Sequence, residues 1–164
     1  MRIPWLWAVV AAGVLCVAGG APAQTTPQKD TPRDVFLQTI GLLAGQGLVL
    51  GHESLNGIAA RFDKRLLPKD HALAALTAAR RYTDLVLAAF SERLMGHLSD
   101  AEKKDLQLMI GFYETQRQAI NALADYIRSG GSAKKRLPFE EQQAKVAAII
   151  RQISLAATPA RSLS

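Results

Sequence analysis

Apolar residues recur every three or four positions along most of the chain, a spacing typical of amphipathic helices. On this basis four helices are predicted, over residues 32–66, 68–97, 100–128 and 138–156. No stretch alternates between apolar and polar residues for long enough to form a strand. The turns at 67–68 and 98–99 are very short, which makes neighbouring helices antiparallel. The pattern therefore predicts an all-α fold, an up-down-up-down four-helix bundle.

The predicted helix starts carry recognisable capping signals. Pro32, Pro68 and Pro138 each stand at the first helical position, where the missing N–H costs nothing. A carboxylate follows each proline by two residues and meets the positive end of the helix dipole. The remaining start has the Ser-x-x-Glu pattern of a capping box, formed by Ser99 and Glu102.

The first helix has very little charge. Residues 35–60 contain only two ionisable side chains, His52 and Glu53. Such a segment is expected to be buried, with the other helices packed around it. Glycines lower helix propensity by about 1 kcal/mol each relative to alanine, so a kink or break is predicted near Gly45–Gly47. The apolar stripe of this helix is Leu37, Gly41, Ala44, Leu48, His52, Leu55, Ala59, Phe62 and Leu66.

The N-terminal segment has the order of a secretory signal peptide. Arg2 is followed by an apolar run and by the small residues Ala21 and Ala23. We expect cleavage before Gln24 and export, to the periplasm or to the extracellular space. An uncleaved membrane anchor is the alternative, because the apolar run approaches the ~20 residues that a span needs. The expected divisions are a signal peptide over 1–23, a disordered linker over 24–30, the bundle domain over 31–157 and a flexible tail over 158–164.

The composition of the chain and the motifs that it lacks argue against several classes of function. The single cysteine, Cys16, lies in the leader, so packing alone must hold the exported domain. The formal net charge of +6, or +5 without Arg2, is too small to argue for a nucleic-acid partner. The sequence lacks the motifs of di-iron, haem, zinc-protease, serine-hydrolase and phosphate-loop sites. We therefore expect a non-catalytic adaptor or binding module without a cofactor or a metal.

A polar belt is predicted halfway along the bundle. In the antiparallel register His52 faces Thr83, and Thr83 faces Glu114. Two hypotheses fit such a belt: hydrogen-bonded core residues with a structural role, or a small-ligand or metal site between the helices. The candidate ligand-binding residues are His52, Glu53, Arg80, Tyr82, Thr83, Tyr113 and Gln116.

A basic end is also predicted, because the first and third turns of such a bundle lie at the same end. It could dock on an anionic envelope surface or on another envelope protein, and a solvated surface is the alternative. A stable membrane span by the first helix is disfavoured by Gln38, Gln46, His52 and Glu53. The oligomeric state is left open. The candidate contact residues are Lys64, Arg65, Lys69, Lys134, Lys135 and Arg136.

Overall fold

The computed structural model describes residues 31–156, with side chains over 31–153. This part of the chain contains no strand and has four α-helices: α1 (Pro32–Asp63), α2 (Lys69–Ala88), α3 (Asp100–Arg128) and α4 (Ala133–Ala156). A π-helical turn (Ala89–Leu94) and a 3-10 turn (Met95–His97) continue α2. The prediction of an all-α four-helix bundle is confirmed. The predicted leader (1–23), linker (24–30) and tail (158–164) lie outside the described residues.

Two of the predicted helix starts have the expected capping chemistry. Thr31 and Asp34 form a capping box at the start of α1, in which the Thr31 N–H donates to Asp34 Oδ2 at 3.0 Å. Ser99 and Glu102 form the predicted capping box of α3, with Ser99 N–H donating to Glu102 Oε2 at 2.6 Å. The Thr31 hydrogen bonds lower the pKa of Asp34, because they stabilise its ionised form.

Three other predicted helix ends are wrong. α2 begins at Lys69, so Pro68 is its N-cap and not its first residue. α4 begins at Ala133, so Pro138 lies inside it. The first helical hydrogen bond is the one that the Ser132 carbonyl accepts from the Arg136 N–H at 3.1 Å. Proline there removes one helical donor within the first two turns. α1 stops at Asp63 and does not reach Leu66, because the chain turns at Arg65. α1 is continuous through Gly45–Gly47, so no break occurs, and a kink there stays a prediction.

The centre of the bundle is α3. It packs against each of the other three helices, most extensively against α4 and α2. α1 buries the predicted stripe, from Leu37 to Ala59, but exposes large apolar side chains elsewhere. The expectation that the other helices pack around residues 35–60 is therefore wrong. The physical reason is that α1 is apolar on opposite faces, and the described chain supplies neighbours for only one of them.

Contacts at the helix ends show which ends meet. Arg33, at the start of α1, forms a 2.8 Å ion pair with Glu102, at the start of α3. At the other end, Asp63 of α1 accepts hydrogen bonds from Tyr126 of α3 and Arg136 of α4. These contacts bring the turn between α1 and α2 close to the turn between α3 and α4. We call this end, with its residues 62–69 and 128–137, the basic end.

Candidate functional site

A polar layer divides the hydrophobic core. One apolar cluster, towards the start of α1, includes Leu48, Leu87 and Met109, and the other, towards the basic end, includes Leu55, Leu76 and Leu123. Gln116 of α3 and Thr83 of α2 come between the two sets in sequence, and both are buried. Of the predicted belt residues, Thr83 and Gln116 therefore lie at the boundary between the two clusters.

Two belt residues of α3 contact α1 at its glycines. The Tyr113 hydroxyl donates to the Ala44 carbonyl at 2.8 Å, and it lies 2.7 Å from where a β-carbon on Gly47 would be. The Cδ of Gln116 lies 2.8 Å from the corresponding position on Gly51. Any larger residue at either glycine would collide with these polar groups. The two glycines therefore serve close packing between α1 and α3.

The environment of Tyr113 makes it a hydrogen-bond donor and not an acid. Burial, with a smaller contribution from the Tyr82 phenol, raises the pKa of Tyr113 to about 12. Its ring packs edge-on against Phe90 with centroids 5.9 Å apart. Buried phenols with a satisfied hydroxyl usually serve structure, because the neutral form is the one that the surroundings stabilise.

His52 and Thr83 each make a side-chain hydrogen bond within their own helix. His52 is half-buried, and its Nε2 lies 3.2 Å from Asn56 Nδ2 on the next turn of α1. The Thr83 hydroxyl donates to the Ala79 carbonyl within its own helix. Glu53, although adjacent to His52, is exposed. No hydrogen bond among the described residues joins His52 to the other candidate belt residues.

Arg80 belongs to a charge network on the surface between α2 and α3. Its Nε donates to Asp84 at 3.1 Å, and Arg117 approaches the same carboxylate at 3.5 Å while also pairing with Glu114. Arg80 also donates to Asn121. The pairing of Asp84 with Arg117 agrees with the predicted α2–α3 register to about one turn. Tyr82 is exposed beside this network.

Several buried polar atoms of the described side chains have no hydrogen-bond partner. They belong to three helices: His52 Nδ1 on α1, Gln116 Oε1 on α3, and Gln142 Oε1 with both amide atoms of Gln143 on α4. Buried polar groups normally have partners, so these atoms are the ones that a polar ligand could bond. Within residues 31–156 no group of three or more His, Cys, Asp or Glu side chains could hold a metal ion.

The basic end has exposed lysine and leucine side chains. Lys64, Lys134 and Lys135 are exposed, and none forms an ion pair with another described residue. Leu66 is 65% exposed and Leu137 is 61% exposed. Between the two turns lies an open cleft of about 500 Å³. Its lining consists of Phe62, Asp63, Arg65, Leu67, Pro68, Tyr126, Gly130, Gly131 and Arg136.

Arg136 is the structural link of this end. It donates to Asp63 Oδ2 and to Glu140 Oε1, each at 2.6 Å, and its guanidinium lies 5.6 Å from the Tyr126 ring centroid. The hydrogen bonds to Glu140 and Asp63 raise the pKa of Arg136. Tyr126 in turn donates to Asp63 at 2.6 Å, which raises its own pKa. Arg136 therefore ties α4 to α1 and α3.

Asp63 and Tyr126 were missed by the sequence interpretation. They meet across 63 residues of chain, and Asp63 meets Arg136 across 73. The only local signal was their position at the ends of two helices that share one end of the bundle.

Two further candidate residues of the basic end are Lys69, which makes a hydrogen bond to α3, and Arg65, which has an unusual backbone conformation. Lys69 Nζ donates to the Arg128 carbonyl at the end of α3 at 2.9 Å. Arg65 has a φ of 58°, in the left-handed region that glycine usually occupies. The Leu66 N–H donates to the Arg61 carbonyl at 2.8 Å and closes the motif. α3 ends in the same way with Gly130, whose φ is 74°.

α1 is long and apolar enough to cross a membrane by length and composition. Core helices of globular proteins and signal sequences meet the same criterion. Only 17% of its most apolar 18-residue window is buried, so burial in the described bundle does not account for its composition. Its position near the N-terminus is compatible with a role in export.

Comparisons with known proteins leave the residues themselves as the guide to function. A scan against protein-family models, a search of curated proteins and a search of solved structures each returned no match.

Proposed function

We propose that this chain is an exported, non-catalytic binding protein that docks through its basic end on the anionic phospholipid surface of the cell envelope. The observation that carries the proposal is the exposure of Leu66 and Leu137 among the cations of that end. The ion pair between Asp63 and Arg136 holds the two leucine-bearing segments together, so both leucines can meet one surface.

The physical basis is the combination of charge and apolar insertion. A single exposed leucine needs no explanation, because apolar atoms make up much of any protein surface. Cations near an anionic bilayer contribute about 1 kcal/mol each. Lys64, Lys134 and Lys135 form no ion pair within the described part of the chain that would compete. Burial of a leucine side chain adds roughly 1.5–3 kcal/mol. Together these terms support reversible docking rather than permanent insertion.

Arg136 is excluded from this surface by its contacts. Its guanidinium is shared between Asp63, Glu140 and the Tyr126 ring, so it holds the end together instead of reaching outwards. Lys69 is oriented by the Arg128 carbonyl, although it keeps its charge. The docking surface is therefore defined by Lys64, Arg65, Leu66, Lys134, Lys135 and Leu137.

The test is sedimentation of the protein with vesicles of phosphatidylglycerol and phosphatidylcholine, against vesicles of phosphatidylcholine alone. We expect binding to the anionic vesicles only, and a steady loss of binding as salt is raised. Changing Lys64, Lys134 and Lys135 to glutamine should weaken binding at least roughly tenfold, because the attraction is electrostatic. Leu66→Ala with Leu137→Ala should weaken it separately.

The matched control changes Lys104, Lys145 and Arg151 to glutamine. These cations are also exposed, and the net charge falls by the same amount, but none lies at the basic end. This control should bind anionic vesicles nearly as well as the unmodified chain. Absent binding, or an equal loss in both triple variants, would reject a localised docking surface and leave a solvated one.

A second candidate function is the binding of a small polar ligand or a metal at the mid-height belt. It is favoured by the unpartnered buried atoms of His52, Gln116 and Gln143. Calorimetric titration of the metal-free protein with zinc, copper and nickel, and comparison with His52→Gln, tests the metal version. Tight binding that His52→Gln abolishes would support the belt. Equal heats in both proteins would remove His52 from any metal site.

A further inference from the structure

The outer face of α1 is apolar and has no partner in the described chain. At 100° per residue, this face is centred opposite the buried stripe that contains Leu48 and Leu55. Helices that are apolar on every side are normally covered on every side. The bare side chains are Val35, Phe36, Leu42, Leu43, Val49 and Leu50.

This outer face is large and carries no charge. From residue 35 to residue 51 the chain has no ionisable side chain, and Thr39 and Gln46 are the polar residues within the face. The six residues are each between 42% and 61% exposed. Together this amounts to roughly 600 Å², the upper end of the largest apolar patch on a typical monomer. A patch of this size marks an interaction site more often than a chance feature.

These exposed apolar residues form adjacent pairs that repeat every seven positions along α1. Val35, Leu42 and Val49 are separated by seven residues, and so are Phe36, Leu43 and Leu50. A repeat of seven keeps an apolar seam facing a partner helix as the two helices supercoil. The outer face of α1 therefore fits another helix.

The pattern is also symmetric about the midpoint between Leu42 and Leu43. An antiparallel copy aligned there places Val35 opposite Leu50, and Phe36 opposite Val49. Thr39 falls opposite Gln46, so the two polar positions also meet each other. A face that matches its own reversed copy is what a two-fold symmetric interface requires.

A membrane fits this face less well. α1 cannot enter a bilayer alone, because Tyr113 bonds its Ala44 carbonyl and its inner stripe is buried. Entry of the whole bundle would bring the Arg80, Asp84 and Arg117 charges along at mid-height. Interfacial helices are rich in Lys and Arg on their polar face, and α1 has no Lys or Arg between Arg33 and Arg61.

We propose that a second copy of this chain covers the outer face, with the two α1 helices antiparallel about a two-fold axis near Leu42 and Leu43. Two such faces would bury about 1,200 Å², at the lower limit of specific interfaces. The pair is therefore a reversible dimer that dissociates on dilution. It is independent of docking by the basic end, since the two surfaces share no residue.

Sedimentation equilibrium over a range of protein concentration, on the protein as purified from its own host, tests this dimer. We expect a monomer–dimer equilibrium that Leu43→Glu weakens at least roughly tenfold, because it places a charge at the axis. Leu137→Glu is the matched control. Leu137 is 61% exposed and Leu43 is 60% exposed, so both variants should fold and only the control should still dimerise.

Disulfide trapping tests the direction of the helices. In chains carrying Cys16→Ser, an equimolar mixture of Val35→Cys and Leu50→Cys should give mainly the mixed disulfide on mild oxidation. A parallel pair would instead give disulfides between identical chains. Predominance of these identical-chain products would overturn the antiparallel arrangement.

Other outcomes would overturn the dimer itself. These are an unmodified chain that stays monomeric at every concentration, or a dimer that Leu43→Glu leaves intact. A monomer that binds neutral vesicles, and loses that binding in Leu43→Glu, would assign the face to lipid. Binding of Leu43→Glu to anionic vesicles should be unchanged on a per-chain basis, which separates this proposal from docking by the basic end.

Discussion

The side-chain amide of Gln116 packs against the bare α-carbon of Gly51. A β-carbon at position 51 would lie 2.8 Å from Gln116 Cδ and closer still to Nε2. Gln116 is itself buried, so its amide has little room to move aside. Gly57 lies on the same helix, and apart from its chain neighbours and the nearby helix backbone no described atom would come within 4 Å of a β-carbon there. The two glycines therefore differ in what surrounds them and not in helix geometry.

Alanine at these two positions should have opposite effects. Gly57→Ala should raise the free energy of unfolding by about 0.5–1 kcal/mol, because alanine restricts the unfolded chain and favours helix. Gly51→Ala should lower it by about 1–3 kcal/mol through overpacking. Urea denaturation of both variants measures the difference. Adding Gln116→Ala to Gly51→Ala should restore part of the loss, and stabilisation by Gly51→Ala alone would contradict the close contact.

Stability should fall at alkaline pH because of Tyr113. Its pKa is about 12 in the folded chain and about 10 when unfolded, so the neutral phenol stabilises the fold fully below pH 10. This contribution is lost as pH rises through 12 and amounts to about 3 kcal/mol over the two units. Tyr113→Phe should cost about 1 kcal/mol at neutral pH for the lost Ala44 hydrogen bond. It should then lose less stability than the unmodified chain between pH 10 and 12, and parallel pH curves would contradict this.

The turn after α1 should tolerate glycine better than arginine. Arg65 has a φ of 58°, where a side chain costs roughly 1 kcal/mol relative to glycine. Arg65→Gly should therefore leave thermal stability equal or higher, despite the greater freedom of the unfolded chain. Gly130→Ala, at the matching position after α3 with a φ of 74°, should destabilise by about 1 kcal/mol. Melting temperatures of the two variants that move in the same direction would contradict the shared turn geometry.

Two neighbouring cations of the basic end should differ in their effect on folding. Arg136→Gln should lower the free energy of unfolding by about 1–2 kcal/mol, because it removes charge-assisted bonds to Asp63 and Glu140. Lys135→Gln should change it by less than about 0.5 kcal/mol, since exposed charges contribute little. Chemical denaturation of both variants measures this difference, and equal effects would show that the Arg136 contacts do not persist in solution.

Local signals in the sequence predicted much of the fold. The bounds of α3 were predicted correctly because a capping box starts it and two glycines follow its end. The buried stripe of α1 was also predicted, from Leu37 to Ala59, because periodicity identifies a continuous apolar face. The predicted start of α4 at Pro138 was wrong. The helix begins earlier, where the Ser132 carbonyl accepts a hydrogen bond from the Arg136 N–H.

The candidate sites were less predictable because they depend on helix rotation and on distant partners. The α2–α3 register was predicted to about one turn, but the direction in which each side chain points was not. Arg80 lies in a surface charge network, whereas Gln116 is buried. The low charge of α1 was interpreted as burial on all sides. A sequence pattern does not show how many other helices will pack against a given helix. The contacts among Asp63, Tyr126 and Arg136 join three helices. Such contacts between residues far apart in the chain cannot be predicted from a local sequence pattern.

The packing of α1 on α3 has a consequence for synthesis of the chain. Of the four described helices, α1 leaves the ribosome first, and Tyr113, which donates to its Ala44 carbonyl, follows 69 residues later. At about 5–20 residues per second, roughly 3–14 s separate the appearance of these two partners. During that interval α1 is an apolar segment without its native neighbour. An apolar segment that is exposed in this way during synthesis is the kind of segment that chaperones protect from aggregation.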